Sequence, residues 1–154
     1  DVDGILTDGR IIIDGNGKET KEFDVQDGLG NVYSQRVGLK TAIISARSAE
    51  AVTVRAEDLK IGLVYQDARV KSKAYKEILQ EFGVTDEEVC FMGDDMPDLP
   101  VLRMAGFAVT VPNGIPEAKK LADYITKKGG GRGAVREVIE MILKAQGKWQ
   151  ELIP

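Results

Sequence analysis

The chain has no histidine and only one cysteine in 154 residues. The absence of histidine excludes Ser-His and Cys-His catalysis and His-ligated zinc. Acid–base chemistry must then rest on Asp, Glu, Lys or Tyr. A lone Cys90 excludes a disulfide framework and fits a reducing, cytoplasmic setting. It lies in the apolar run Val89-Cys90-Phe91-Met92 and reads as a core residue. No apolar stretch approaches the roughly 18 residues of a membrane span, and no signal peptide is visible, so no membrane partner is expected. Basic residues are in the minority: 21 Lys and Arg against 25 Asp and Glu leave a net charge of −4. That balance disfavours a nucleic-acid partner. An apolar content of 43% with 30% charged residues fits a globular protein,. At this length one domain over residues 1–154 is expected, with a sizeable core.

What the chain does have is acid in unusual places. Asp1, Asp3 and Asp8 fall in the first eight residues, and Gly93-Asp94-Asp95 follows much later. Two carboxylates about 4 Å apart repel by roughly 4 kcal/mol at an effective dielectric near 20. A divalent cation offsets such repulsion, and hard oxygen ligands suit Mg²⁺. Asp1 and Asp3, two apart on an extended segment, share one face. Asp1 is placed to attack phosphorus. Asp3 is placed to protonate a leaving oxygen and later to deprotonate water. Gly4 permits a sharp turn beside them. The competing reading is a polar turn after a strand, and the second acidic pair at another strand end argues against it. Asp1 stands where the end of a strand is expected, so the first strand is expected to lack residues in the numbered chain.

The pattern alternates strands and helices. Residues 10–23 read as a hairpin around Asp14-Gly15-Asn16-Gly17. A helix is expected over 27–37 with Asp27 as a possible N-cap, then a strand at 41–44 ending on Ser45, a helix over 48–59 and a strand at 62–65. A helix over 71–82 stops at Gly83. Residues 85–88 form a capped turn, 89–92 a strand, and Pro97 opens a helix. A strand at 107–111, a short helix at 116–121, a short strand at 124–125 and a helix at 134–146 complete the chain. This order implies an α/β fold, doubly wound and Rossmann-like, with a parallel sheet covered on both faces as a three-layer sandwich. Ligands bind such sheets beyond the C-terminal strand ends. Asp1, Asp3, Ser45 and Asp94 all fall there. Lys71 and Lys73 both stand near one helix start, and spacing alone does not choose between them.

Asp1-Val2-Asp3-Gly4-Ile5-Leu6-Thr7-Asp8 resembles the first motif of the haloacid dehalogenase superfamily. Ser45 after Ile43-Ile44 resembles its second, Lys71 its third, and Gly93-Asp94-Asp95 its fourth. Phe23-Asp24-Val25-Gln26-Asp27-Gly28-Leu29-Gly30, Ile43 to Ser48, Gly93 to Pro100 and Gly130 to Glu137 narrow the resemblance to the 3-deoxy-D-manno-octulosonate 8-phosphate phosphatases. These are a branch without a large cap domain. The resemblance implies a cytoplasmic, Mg²⁺-dependent hydrolase of lipopolysaccharide biosynthesis. It forms a homotetramer, takes a small sugar-acid phosphate and works through an aspartyl phosphate. It implies Mg²⁺ at Asp1, Asp3 and Asp94, with Asp3 binding through its backbone carbonyl and its carboxyl free for proton transfer. It favours Lys71 over Lys73. It further implies substrate contacts from Asp3, Asp24, Val25, Gln26, Asp27, Gly28, Ser45, Arg47, Arg55 and Lys71.

Two departures stand out, Ala46 and Asp67, both where the family commonly has Gly. A methyl at Ala46 would force a backbone change if its φ were positive. Asp95 reads as an outer partner of Lys71, and Asp98 as an early-turn acid favoured by the helix dipole. Tyr33, Tyr65 and Phe82 read as packing. The hairpin needs cover for its apolar face. The basic segment 127–133 reads either as a loop or as an arm toward a substrate anion. The alternatives are a phosphatase for another sugar acid, such as a nine-carbon sialic acid phosphate, and a catalytically silent sugar-acid-binding subunit.

Overall fold

Ile43 and Ile44 are adjacent in sequence, so a strand must send them to opposite faces. Each joins a different core. In the computed structural model, which describes residues 1–153, the strand β3 (Ala42–Ile44) pairs in parallel with β4 (Leu63–Tyr65). A second parallel ladder joins β5 (Cys90–Met92), β6 (Phe107–Thr110) and β7 (Tyr124–Ile125). The expected single sheet is therefore hydrogen-bonded in two parts. The first residues run between them. The Asp1 backbone nitrogen donates to the Met92 carbonyl at 3.1 Å, and Val2 packs with Ile43.

Helices cover both faces. α3 (Lys71–Phe82), α4 (Leu99–Leu102) and α5 (Pro116–Leu121) bury Tyr75, Ile78, Leu102 and Ala118 against Ile44, Phe91 and Ala108. On the opposite face α2 (Glu50–Asp58) packs Val52 and Ala56 on Val2 and Ile43. Beside it α1 (Val25–Arg36) and α6 (Ala134–Ala145) cover Ile5 and Val111. This is the expected three-layer doubly wound sandwich, with no large cap domain. Trp149 docks edge-on to Tyr33, with ring centroids 6.2 Å apart, and Tyr65 and Phe82 pack against the α3 core. Cys90, expected in the core, is half-buried and joins none of the core clusters, and its surroundings, by desolvation, push the thiol up to about 12,.

The hairpin projects from this body. β1 (Ile12–Ile13) and β2 (Glu19–Thr20) pair antiparallel around a turn organised by Asp14. Ile11, Ile12 and Ile13 are all exposed. Among the described residues no helix is long and apolar enough to cross a membrane.

One helix start is corrected. α1 begins at Val25, and its N-cap is Asp24, whose carboxylate accepts from the Gln26 and Asp27 amides at 2.7 and 3.1 Å. Asp27 lies inside the helix and is buried. Its carboxylate reaches across to the start of α6, accepting from the Gly133 and Arg136 amides at 3.3 and 2.7 Å. Burial raises Asp27 from the usual 3.8 to about 6. The two amides and Lys128 oppose that rise, and Asp24 adds to it. A carboxyl whose pKa is higher folded than unfolded adds stability that is fully present below about 3.8 and lost as pH rises through about 6,. Asp27→Asn cannot titrate. Thermal melts of both proteins from about pH 4 to about pH 7 should diverge across that window, the wild type losing stability relative to the variant as pH rises. Parallel profiles would refute the assignment.

Candidate active site

The first turn positions the acids. Val2 and Ile5 are buried, and the Val2 carbonyl accepts from the Ile5 and Thr7 amides at 3.2 and 3.0 Å. Gly4, at φ +97°, closes the turn, and its Cα lies against the Asp94 carboxylate, where a Cβ would fall 2.1 Å from an oxygen. Only glycine admits both the backbone and the contact. Asp94 follows β5 and meets the first acidic motif at the Gly4 turn; the strand expected to end at Asp1 is not formed, residues 1 and 2 lying in no ladder.

Lys71, at the start of α3, supplies the cation. It is 3% exposed, and its ammonium donates to Asp1 at 2.5 Å and to Asp98 at 2.6 Å. Asp98 is thus the outer partner of Lys71 in place of Asp95, which is exposed and caps its own turn at the Met96 amide. A 3-10 turn over Met96–Asp98 reverses the chain and carries Asp98 inward. Its second oxygen accepts from the Asp94 and Asp95 amides, both at 3.2 Å. Oxygens of Asp1, Asp94 and Asp98 lie within 4.8 Å of one another. One buried oxygen of Asp94 has no hydrogen-bond partner. Burial, with Asp98 adding its repulsion, raises Asp94 to about 6. An unpartnered carboxylate oxygen facing a second carboxylate is what a hard divalent cation binds.

Asp3 is not part of that cluster. One carboxylate oxygen pairs with Lys21 at 2.6 Å, and the other lies 3.8 Å from the Arg47 Nε. Its carboxyl, expected to be free, is held by cations. Arg47 also pairs with Glu19 at 2.8 Å, and Glu19 with Lys21 at 2.7 Å. Ser45, buried at the end of β3, accepts from the Arg47 amide at 3.2 Å through its hydroxyl. Arg55 forms a separate group with the segment after Phe23. It packs on Gly28, reaches the Asp24 carbonyl at 3.5 Å and pairs with Asp58 at 2.7 Å. Val25 is exposed, and Gln26 accepts from Lys128 at 3.2 Å. Asp27 does not join them, because its carboxylate is committed to α6.

The segment after β7 presses on the first turn. The Gly131 amide donates to the Ile5 carbonyl at 2.9 Å, Arg132 pairs with Asp8 at 3.2 Å, and a Cβ on Gly130 would fall 1.7 Å from the Gly4 carbonyl oxygen. Ala46 is not among the residues with positive φ, so its methyl meets no backbone strain. Asp67 has φ +53° and sits where glycine would be relaxed,. Sequence reading missed Glu19, Lys21 and the inward turn of Asp98. The first two had a signal: spaced two apart on a strand, they share a face.

Lys71→Met leaves Asp1 and Asp98 buried without their cation. It should cost about 3–5 kcal/mol in chemical denaturation with chelator present. Added Mg²⁺ should recover more stability in the variant than in the wild type. A variant as stable as the wild type in chelator would show that Lys71 does not hold the site together.

Against known proteins, residues 41–139 match the haloacid dehalogenase-like hydrolase family. The chain is similar to the 3-deoxy-D-manno-octulosonate 8-phosphate phosphatase of Escherichia coli K12, with 41% identity over 98% of this chain and 80% of that protein. The enzyme from Moraxella catarrhalis, solved with a magnesium ion, a phosphate ion and the sugar acid, superposes with a TM-score of 0.95 at 45% identity, covering 98% of this chain and 87% of that one. The cobalt-bound Haemophilus influenzae enzyme gives 0.95 at 35% identity, covering 99% and 90%.

Proposed function

Because the chain belongs to the haloacid dehalogenase-like hydrolases, and among them to the 3-deoxy-D-manno-octulosonate 8-phosphate phosphatases, we propose that it hydrolyses 3-deoxy-D-manno-octulosonate 8-phosphate to the sugar acid and inorganic phosphate, a step of lipopolysaccharide biosynthesis. The observation that carries this reading is the Lys71 ammonium held between Asp1 and Asp98 beside an unpartnered Asp94 oxygen.

Asp1 and Asp94, with the Asp3 backbone carbonyl, would hold Mg²⁺. Bound there, the ion would set positive charge against the phosphoryl oxygens. An Asp1 carboxylate oxygen attacks phosphorus as the bond to the sugar oxygen breaks, and Asp3 gives that oxygen its proton. Asp1 then carries the phosphoryl group as an acyl phosphate. Asp3, now ionised, takes a proton from water as the water oxygen attacks phosphorus. Inorganic phosphate leaves, and the Asp1 carboxylate is restored. Lys71 neutralises charge on the transferring group, and the Ser45 hydroxyl and neighbouring amides donate to it. Arg47 and Arg55 suit the anionic sugar acid because their forks pair with carboxylates. The exposed Ile11–Ile13 stretch supports the homotetramer that the family resemblance implies,.

Phosphate release from 3-deoxy-D-manno-octulosonate 8-phosphate should require Mg²⁺. Asp1→Asn should lower turnover by at least about 1,000-fold, because monoester hydrolysis without a nucleophile is extremely slow. Near-normal turnover in that variant would sink the mechanism. Preference for a nine-carbon acid phosphate would sink the substrate assignment, and no turnover of any sugar phosphate would favour a silent binding subunit.

A further inference from the structure

Lys21 stands at the root of a hairpin whose other residues are largely exposed, yet its side chain is only 1% exposed. A buried ammonium is costly unless it is paired. Here it has two carboxylates, Asp3 at 2.6 Å and Glu19 at 2.7 Å. Glu19 passes its other oxygen to Arg47 at 2.8 Å, and the Arg47 Nε returns to Asp3 at 3.8 Å. The four side chains close a ring around the Asp3 carboxylate. The ring is lopsided: the Lys21 contact is short and buried, whereas Arg47 is 48% exposed and its contact with Asp3 is long. One Asp3 oxygen is therefore fixed by the buried ammonium, and the other faces the exposed Arg47.

We propose that Lys21 is a positioning residue for the reaction, locking the Asp3 carboxylate through the hairpin so that one defined oxygen gives and then takes the proton. The proposal rests on the reading of Asp3 as the proton carrier. It assigns the hairpin a role inside the site. Glu19 pairs with Ile13 across the hairpin, Glu19 and Lys21, two residues apart, both reach the Asp3 side, and a slip of one residue would turn them away.

The test compares leaving groups. A sugar alkoxide needs a proton as it departs, whereas p-nitrophenolate does not. The ratio kcat/KM reports only the steps up to transfer of the phosphoryl group to Asp1, so water activation by Asp3 does not enter. With Lys21→Met, kcat/KM on the sugar phosphate should fall about 100-fold, the scale of a misplaced catalytic group. On p-nitrophenyl phosphate it should change by less than about threefold. Lys21→Arg should restore most of the loss. Glu19→Gln, which keeps Lys21 in place but loosens it, should give the same split at smaller size and serves if Lys21→Met does not fold. Equal losses on both substrates, or no loss, would overturn the proposal and leave Lys21 a structural residue. Asp3→Asn separates the layers. If it splits the two substrates and Lys21→Met does not, only the Lys21 proposal fails. If Asp3→Asn shows no split, the reading of Asp3 fails and takes the proposal with it.

Discussion

The Lys71 ammonium is the contact on which the rest depends. It lies where three segments meet: the first turn, the start of α3 and the turn after β5. The first turn and the turn after β5 each bring a carboxylate into a buried space, and the start of α3 brings the cation. Burying a lysine is unfavourable by itself, and so is burying two carboxylates; together they are tolerable only in close contact. Asp98 extends the effect, because the oxygen not used by Lys71 gathers the Asp94 and Asp95 amides. One cation thus orders the loop that carries Asp94 without touching Asp94. Three carboxylates against one ammonium still leave the cluster two charges negative. That surplus is what a divalent cation cancels.

The same turn is braced from behind by the far end of the chain. Gly130 and Gly131 lie flat on the Gly4–Thr7 backbone because no side chain would fit there. Their position depends on where α6 begins, and Asp27 holds that beginning by accepting from the Gly133 and Arg136 amides. Asp24, three residues earlier, caps α1 in turn. Two carboxylates on one short segment therefore fix two helix starts, and the second of these sets the wall of the catalytic turn. The raised pKa of Asp27 reflects the cost of this: its amide partners do not fully replace water.

Much of the fold was legible because it is local. Periodicity marked α3, β7 and α5 at their observed bounds, and the two acidic motifs were legible as one cluster of Asp1 with Asp94. What failed was whatever depended on a distant partner. Asp27 has the chemistry of an N-cap but is not one: its carboxylate accepts from the first amides of a helix that starts 107 residues later, whose own N-cap is Gly133. Asp24 won the local cap because its extended backbone aims its carboxylate at the next amides,. In Asp94-Asp95-Met96-Pro97-Asp98 the sequence does not say which acid turns inward. A 3-10 turn in place of the start of an α-helix decides it for Asp98. A lysine on a hairpin is ordinarily solvated, and only the pairing with both Asp3 and Glu19 makes the burial of Lys21 tolerable.

The hairpin joins the two themes of charge and support. Its outgoing arm shows three exposed isoleucines, and its return arm sends Glu19 and Lys21 inward. Two paired residues per strand form a ladder that is marginal in water by itself. The ion pairs at its root hold its register, and cover over the exposed Ile11–Ile13 would hold it further. These two supports act on one equilibrium, the ordering of the hairpin, so they are thermodynamically linked. Cover on the isoleucines would strengthen the grip of Lys21 on Asp3, and a settled ring around Asp3 would present the isoleucines in a fixed array. The hairpin thus carries on one short ladder both the cations that hold the Asp3 carboxylate and an exposed apolar stretch.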